Sequence, residues 1–182
     1  MTKQKTALVT GSSRGIGYGI ACYLKNDGFK VAINARNFDD FKGSNDFIKI
    51  RGDVSSSEDS TKIVGMAIEQ LGEIDLIICN VGSGRSAKSG EEKYLDWQKS
   101  FAQNFFSTTN IIEASREHLI SSQGSIICIS SICGLEHIEG APTTYSVAKS
   151  ALNFYIKLTS KNLAPFNIRL NGIALGLSLI HI

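Results

Sequence analysis

The sequence predicts an α/β protein: a doubly wound parallel sheet between two layers of helices. Three observations predict it. Six short runs rich in Val and Ile, at residues 6–10, 30–35, 47–50, 76–80, 125–130 and 168–173, are mostly apolar on both faces, as strands covered on both sides are. Helix-compatible stretches alternate with most of them. The first run passes through a glycine cluster straight into a helical stretch, the junction at which open α/β sheets bind anions.

Taken in order, the first helix begins in the glycine cluster and runs to about Asn26, with Gly28 beyond it as a stop signal. The link between the second and third strands, residues 36–46, has hardly room for a crossover helix, so a short or irregular element is expected there. The second helix covers 57–71, with "SSED" as a capping segment and Gly72 after it. A long helical stretch over about 92–119, with room for a break in the middle, follows the fourth strand. The last helix covers 145–163 and ends before Pro165.

A chain of 182 residues suits one domain. Its apolar fraction of 42%, charged fraction of 20% and formal charge of +2 are ordinary for a globular protein. The basic residues are scattered, which argues against nucleic acid as a partner. No run reaches membrane-spanning length and the first apolar run is too short for a signal peptide, so no membrane partner and a cytoplasmic location are expected. Cys22, Cys79, Cys128 and Cys133 form no CxxC pair and read as small core residues, and no metal site is expected.

The glycine cluster, "TGSSRGIG", holds Gly11, Gly15 and Gly17 at the first strand-to-helix junction. Glycine there lets a phosphate approach the backbone and the N-terminal N–H groups of the helix. At the end of the second strand, where an acid would hold ribose hydroxyls, the chain has Ala35 and then Arg36. Two guanidinium groups, Arg36 and Arg14, suit a 2′-phosphate, which favours NADP(H) over NAD(H). Asp53, in "RGDVSS", is placed to meet the adenine amino group.

"TYSVAKSA" sets Tyr145 and Lys149 four residues apart, one helical turn on the same face. An ammonium beside a phenol is expected to lower its pKa and make it a usable proton donor and acceptor. Ser130 and Ser131 end the fifth strand, on the edge where such sheets bind ligands.

Together these motifs make the chain resemble the short-chain dehydrogenase/reductase family, from about Thr6 to Gly176. "TGSSRGIG" is similar to the family's TGxxxGxG loop, "CNVG" to its NNAG motif with Cys79 in place of the first asparagine, and "QNFFST", "SS" and "YSVAK" supply Asn104, Ser131, Tyr145 and Lys149. The resemblance implies a Rossmann-like fold and hydride transfer between a nicotinamide cofactor and a small carbonyl or alcohol. It implies a catalytic set of Asn104, Ser131, Tyr145 and Lys149. Tyr145 would be the general acid or base, Ser131 would bind the reacting oxygen, and Lys149 would hold the nicotinamide ribose. Asn104 would anchor a water. It implies cofactor contacts from Thr10, Gly11, Ser13, Arg14, Gly15, Ile16, Gly17, Arg36, Asp53, Val54, Asn80, Gly82, Tyr145 and Lys149. It also implies a homodimer or homotetramer paired through the long helices.

Three departures stand out. The spacing from Ser131 to Tyr145 is one residue longer than usual, which leaves Ser130 as an alternative. Leu175–Gly176 replaces the usual proline-glycine. The last six residues, "LSLIHI", read as translated sequencing adapter rather than as part of the domain. The expected domain is therefore 1–176, lacking the family's final strand and substrate lid and with weakened activity, followed by a non-native tail at 177–182. His118 and His137 read as a surface or capping residue and a solvated loop residue, and the 83–90 loop as a flexible polar loop whose Arg85 and Lys88 could meet an anionic substrate. The alternative function is a dinucleotide-binding sensor or scaffold of the same fold without turnover.

Overall fold

The computed structural model describes residues 3–176; the expectations for the tail at 177–182 lie outside the described residues. The chain order is β1 (Thr6–Val9), α1 (Gly15–Asn26), β2 (Lys30–Ala35), β3 (Ile48–Arg51), α2 (Ser57–Leu71), β4 (Leu76–Cys79), α3 (Tyr94–Phe101), α4 (Ser107–Ser122), β5 (Ser125–Ser131), α5 (Thr143–Leu163) and β6 (Arg169–Leu175). The strands form one sheet in the order β3-β2-β1-β4-β5-β6, and every pairing is parallel. The order reverses between β1 and β4, which opens a crevice at their carboxyl ends.

Both faces of the central strands are buried, as the unbroken apolar runs require. Leu8, Ile77, Ile126 and Cys128 face one core with Ile63 of α2, Ile111 of α4 and Leu152 of α5. Val9, Ile33, Ile78 and Ile129 face the other with Ala21 and Leu24 of α1. Cys79 and Cys128 are register partners on β4 and β5, both buried. A hydrogen bond between the two thiols, together with burial, holds Cys79 well above its ordinary pKa, so it remains a protonated core residue.

The links behave as their chemistry dictates. The Ser56 hydroxyl accepts from the Asp59 N–H at 3.2 Å and starts α2, and Gly72, at φ 87°, ends it. The short β2–β3 link contains no helix. It folds on aromatic contacts instead, with Phe41 edge-on to both Tyr18 and Phe38.

Boundaries differ from the sequence reading in two places. The long helix starts at Tyr94 rather than at residue 92, because the Asp96 carboxylate accepts from the Lys93 N–H at 2.9 Å and fixes the start. It is also broken, by a π-helical turn over Ala102–Phe106 that joins α3 to α4. The last helix begins at Thr143, two residues earlier than expected, because Pro142 takes the N-cap position.

Candidate active site

The crevice brings the glycine loop and the end of β4 together through Asn80. Its side-chain amide donates to the carbonyls of Thr10 (3.1 Å) and Gly11 (3.0 Å), and its backbone N–H donates to the Thr10 hydroxyl (3.0 Å). The glycines are a packing requirement here. A Cβ on Gly17 would lie 2.4 Å from the Asn80 amide nitrogen and 2.5 Å from the Gly11 carbonyl, while Gly11 and Gly15 hold φ near +60°. Ser12, a residue the sequence reading passed over, is fully buried and ties the loop to the sheet; its hydroxyl donates to the Val9 carbonyl at 2.6 Å and accepts from the Asn34 N–H at 3.1 Å.

The residues around the loop fit a dinucleotide phosphate. No side chain caps the N-terminus of α1, and its first turn carries no acid. A Cβ on Gly15 would meet nothing within 4 Å, so the mouth of the loop is open. Ser13 is half-buried, and Arg14 and Ile16 are exposed beside it. Arg36 is exposed just past β2, and its carbonyl accepts from the Arg51 guanidinium at 2.9 Å. Asp53 is half-buried, with one carboxylate oxygen accepting from the N–H and hydroxyl of Ser55. Val54 points into the core, and its carbonyl accepts from Ser60 and Asn110, so its route to a cofactor is its main chain.

A second group assembles at the carboxyl ends of β4 and β5. Lys149 is buried on α5, and its ammonium donates to the Ile129 carbonyl at 2.9 Å. Burial lowers its pKa from 10.5 to about 8. Asn104 sits in the π-helical turn, a form that recurs at functional sites. Its amide donates to the carbonyls of Ser83 and Ser100 (3.0 Å each), and its oxygen accepts from the Ser83 N–H at 2.8 Å. A Cβ on Gly82 would come 3.1 Å from both the Asn104 oxygen and the Lys149 nitrogen, so a side chain there would crowd both groups.

The two serines separate cleanly. The Ser130 hydroxyl donates to the Asn153 carbonyl oxygen at 2.5 Å, and the Asn153 amide donates in turn to the Gly134 carbonyl at 3.1 Å. The Ser131 hydroxyl accepts from the Cys133 N–H at 3.2 Å, and Ser131 is the serine close enough to Tyr145 to act on its phenol. The phenol pKa is raised, chiefly by burial and further by Cys133, against the lowering effect of Ser131. The lowering expected from Lys149 does not prevail: burial outweighs it, and the ammonium donates to the Ile129 carbonyl.

Other candidates resolve structurally. His118 accepts the Ile74 N–H at 3.0 Å, which fastens the turn before β4. His137 is exposed. The 83–90 loop is strapped to α5 rather than loose, through Ser86–Thr144 (2.8 Å) and Ser89–Thr143 (2.7 Å) hydroxyl pairs, and leaves Arg85 and Lys88 exposed. Among the described residues no group of three His, Cys, Asp or Glu could hold a metal, and no helix is long and apolar enough to cross a membrane.

A reversed parallel sheet, a glycine loop at its first turn, and a Ser–Tyr–Lys group at the same edge describe a nicotinamide-dependent oxidoreductase working on small molecules. The family model for short chain dehydrogenase matches residues 5–179, and the chain belongs to that family. It is 31% identical over 180 residues to a putative ketoacyl reductase of the granaticin polyketide synthase of Streptomyces violaceoruber, covering 94% of this chain and 72% of that protein. It is 30% identical over 184 residues to a diacetyl reductase of Staphylococcus epidermidis, covering 96% and 71%. The structure of ElxO with NADP bound superposes with a TM-score of 0.89 at 25% identity, covering 96% of this chain and 74% of that one.

Proposed function

We propose that this chain is an NADP(H)-dependent reductase of a small carbonyl compound, with Tyr145 as its proton donor. The observation that carries this reading is the Lys149 ammonium, buried one helical turn from Tyr145 and bonded to the Ile129 carbonyl on the strand that ends in buried Ser131. When bound, the nicotinamide supplies hydride to the carbonyl carbon. Ser131 donates a hydrogen bond to the carbonyl oxygen and orients it. Tyr145 gives that oxygen its proton as negative charge develops there, and a phenol held above its ordinary pKa carries that proton throughout the neutral range. Lys149 binds the ribose hydroxyls and so places the nicotinamide beside the phenol. Asn104 keeps one lone pair for a water through which the proton on Tyr145 is replaced.

Gly11, Ser13, Gly15, Ile16 and Gly17 cradle the pyrophosphate, with Thr10 and Asn80 bracing the loop from behind. Arg14 and Arg36 take the 2′-phosphate, and Ala35 at the end of β2 stands where an acid would partner a free ribose. Asp53 and the main chain of Val54 meet the adenine. Gly82 faces the nicotinamide side. Exposed Phe106, Val147, Phe154 and Leu158, on and beside the long helices, support pairing between copies of the chain. The test is oxidation of NADPH against NADH with a panel of small ketones and diketones. A clear NADPH preference with turnover supports the proposal, and cofactor binding without turnover on any carbonyl contradicts it.

A further inference from the structure

The helix that carries Tyr145 and Lys149 begins without a cap of its own. Its N-cap residue is Pro142, which has no side-chain acceptor, and its first turn contains no acid. The orphan N–H groups of a helix start need an acceptor. One arrives from a distant part of the chain. The Glu92 carboxylate accepts the Thr143 N–H at 2.8 Å through Oε1 and the Gly90 N–H at 2.7 Å through Oε2. The Ser86–Thr144 and Ser89–Thr143 hydroxyl pairs flank this contact. The other end of the same segment, Ser83, is locked to Asn104. Residues 83–92 thus tie the Asn104 turn to the two residues that immediately precede Tyr145.

We infer that Glu92 is a positioning residue for Tyr145: its carboxylate caps α5 from the β4–α3 connection and sets where the first turn of the helix presents the phenol beside Ser131. The inference rests on the proposed role of Tyr145 as proton donor. Glu92 suits this task electrostatically. Desolvation would raise its carboxyl pKa, yet the N–H groups of Glu92 itself, Gly90 and Thr143 and the Thr143 hydroxyl outweigh it and hold the group below its ordinary value. The carboxylate is therefore charged at neutral pH, at the positive end of the α5 dipole.

Glu92→Ala removes the cap. The expected result is a kcat lowered about tenfold, since small displacements of a reacting group cost that much or more, with the NADPH Kd within about twofold of wild type. Glu92→Gln keeps an acceptor for the Thr143 N–H and is expected to recover most of kcat. Thr143→Pro deletes the donor instead. Pro142, at φ −60° and ψ 137°, already has the backbone that a residue before proline prefers, and proline is well accepted at the first helical position. This variant should lower kcat as Glu92→Ala does, and the double variant no further. Thr143→Ala keeps the N–H and loses only the hydroxyl contacts, so it should lower kcat much less than Thr143→Pro does. Wild-type kcat in Glu92→Ala, a Gln variant as poor as Ala, or a Thr143→Ala variant as poor as Thr143→Pro each overturns the inference. Amide exchange at residues 143–146 separates the two readings. Faster exchange in Glu92→Ala, in a protein that turns over no carbonyl, sinks the proton-donor reading and with it the positioning role. Unchanged exchange sinks the cap whatever the activity.

Discussion

The Lys149 ammonium donates to the carbonyl of Ile129, two residues before Ser131, so the helix carrying the phenol and the strand carrying the serine are joined by a buried charge. Its pKa is held at about 8 against an ordinary 10.5. Between these values the unfolded chain binds more protons than the folded one, so stability rises with pH across that window. At neutral pH the buried charge costs the cofactor-free fold about 3 kcal/mol, the equivalent of that depression. Lys149→Met should therefore raise the Tm of the cofactor-free protein by about 6–12 °C, flatten its stability between pH 8 and 10.5, and lower turnover. Thermal melts across this range check it, and a lower Tm in the variant contradicts it.

Ser131 and Ser130 are adjacent but differently employed: the Ser130 hydroxyl donates to Asn153, whereas the Ser131 hydroxyl accepts from the Cys133 N–H and keeps its own proton to donate. Ser131→Ala is expected to lower kcat about a hundredfold by removing a donor to the developing oxyanion. Ser130→Ala is expected to cost stability instead, about 1–3 kcal/mol for leaving the Asn153 oxygen unsatisfied. Denaturant melts and steady-state kinetics on both variants check the division. The opposite pattern would make Ser130 the reacting serine.

Gly17 has no room for a side chain between Asn80 and the Gly11 carbonyl. Gly17→Ala should displace the loop, destabilise the protein by about 1–3 kcal/mol and weaken NADPH binding by at least tenfold. Calorimetric titration checks the affinity, and an unchanged Kd would mean that the loop does not hold the cofactor.

Arg36 stands where an acid would select the free ribose. Arg36→Asp is expected to move preference from NADPH toward NADH, mainly through the Kd of NADPH, because the variant loses a phosphate partner and adds a like charge. Cofactor titrations of both dinucleotides check it. Unaltered discrimination would mean that Arg36 does not hold the 2′-phosphate.

Much of the fold was legible because burial on both faces of the central strands leaves a direct mark in short Val- and Ile-rich runs, and all six strands fell within a residue or two of the expected runs. Helix ends were less legible, since Pro142 and Asp96 act through backbone geometry that a pattern does not display. The π-helical turn at Asn104 left only a hint of a break, because its cause is the bonding of that side chain to Ser83 across the crevice. Glu92 was invisible as a cap, lying 51 residues from its donor. The direction of the Tyr145 shift differs from the expectation for a similar reason: spacing puts Lys149 on the right face, but the burial that raises the phenol pKa is a property of the packed structure.

The most direct test is Tyr145→Phe, which removes the phenolic oxygen and almost nothing else. NADPH-dependent reduction of a carbonyl substrate and NADPH binding are measured on the same preparation. The account predicts a kcat lowered by about 10²–10⁴ with the cofactor Kd within about twofold. Turnover at the wild-type rate would contradict it, because no group other than that phenol is assigned to give the substrate oxygen its proton.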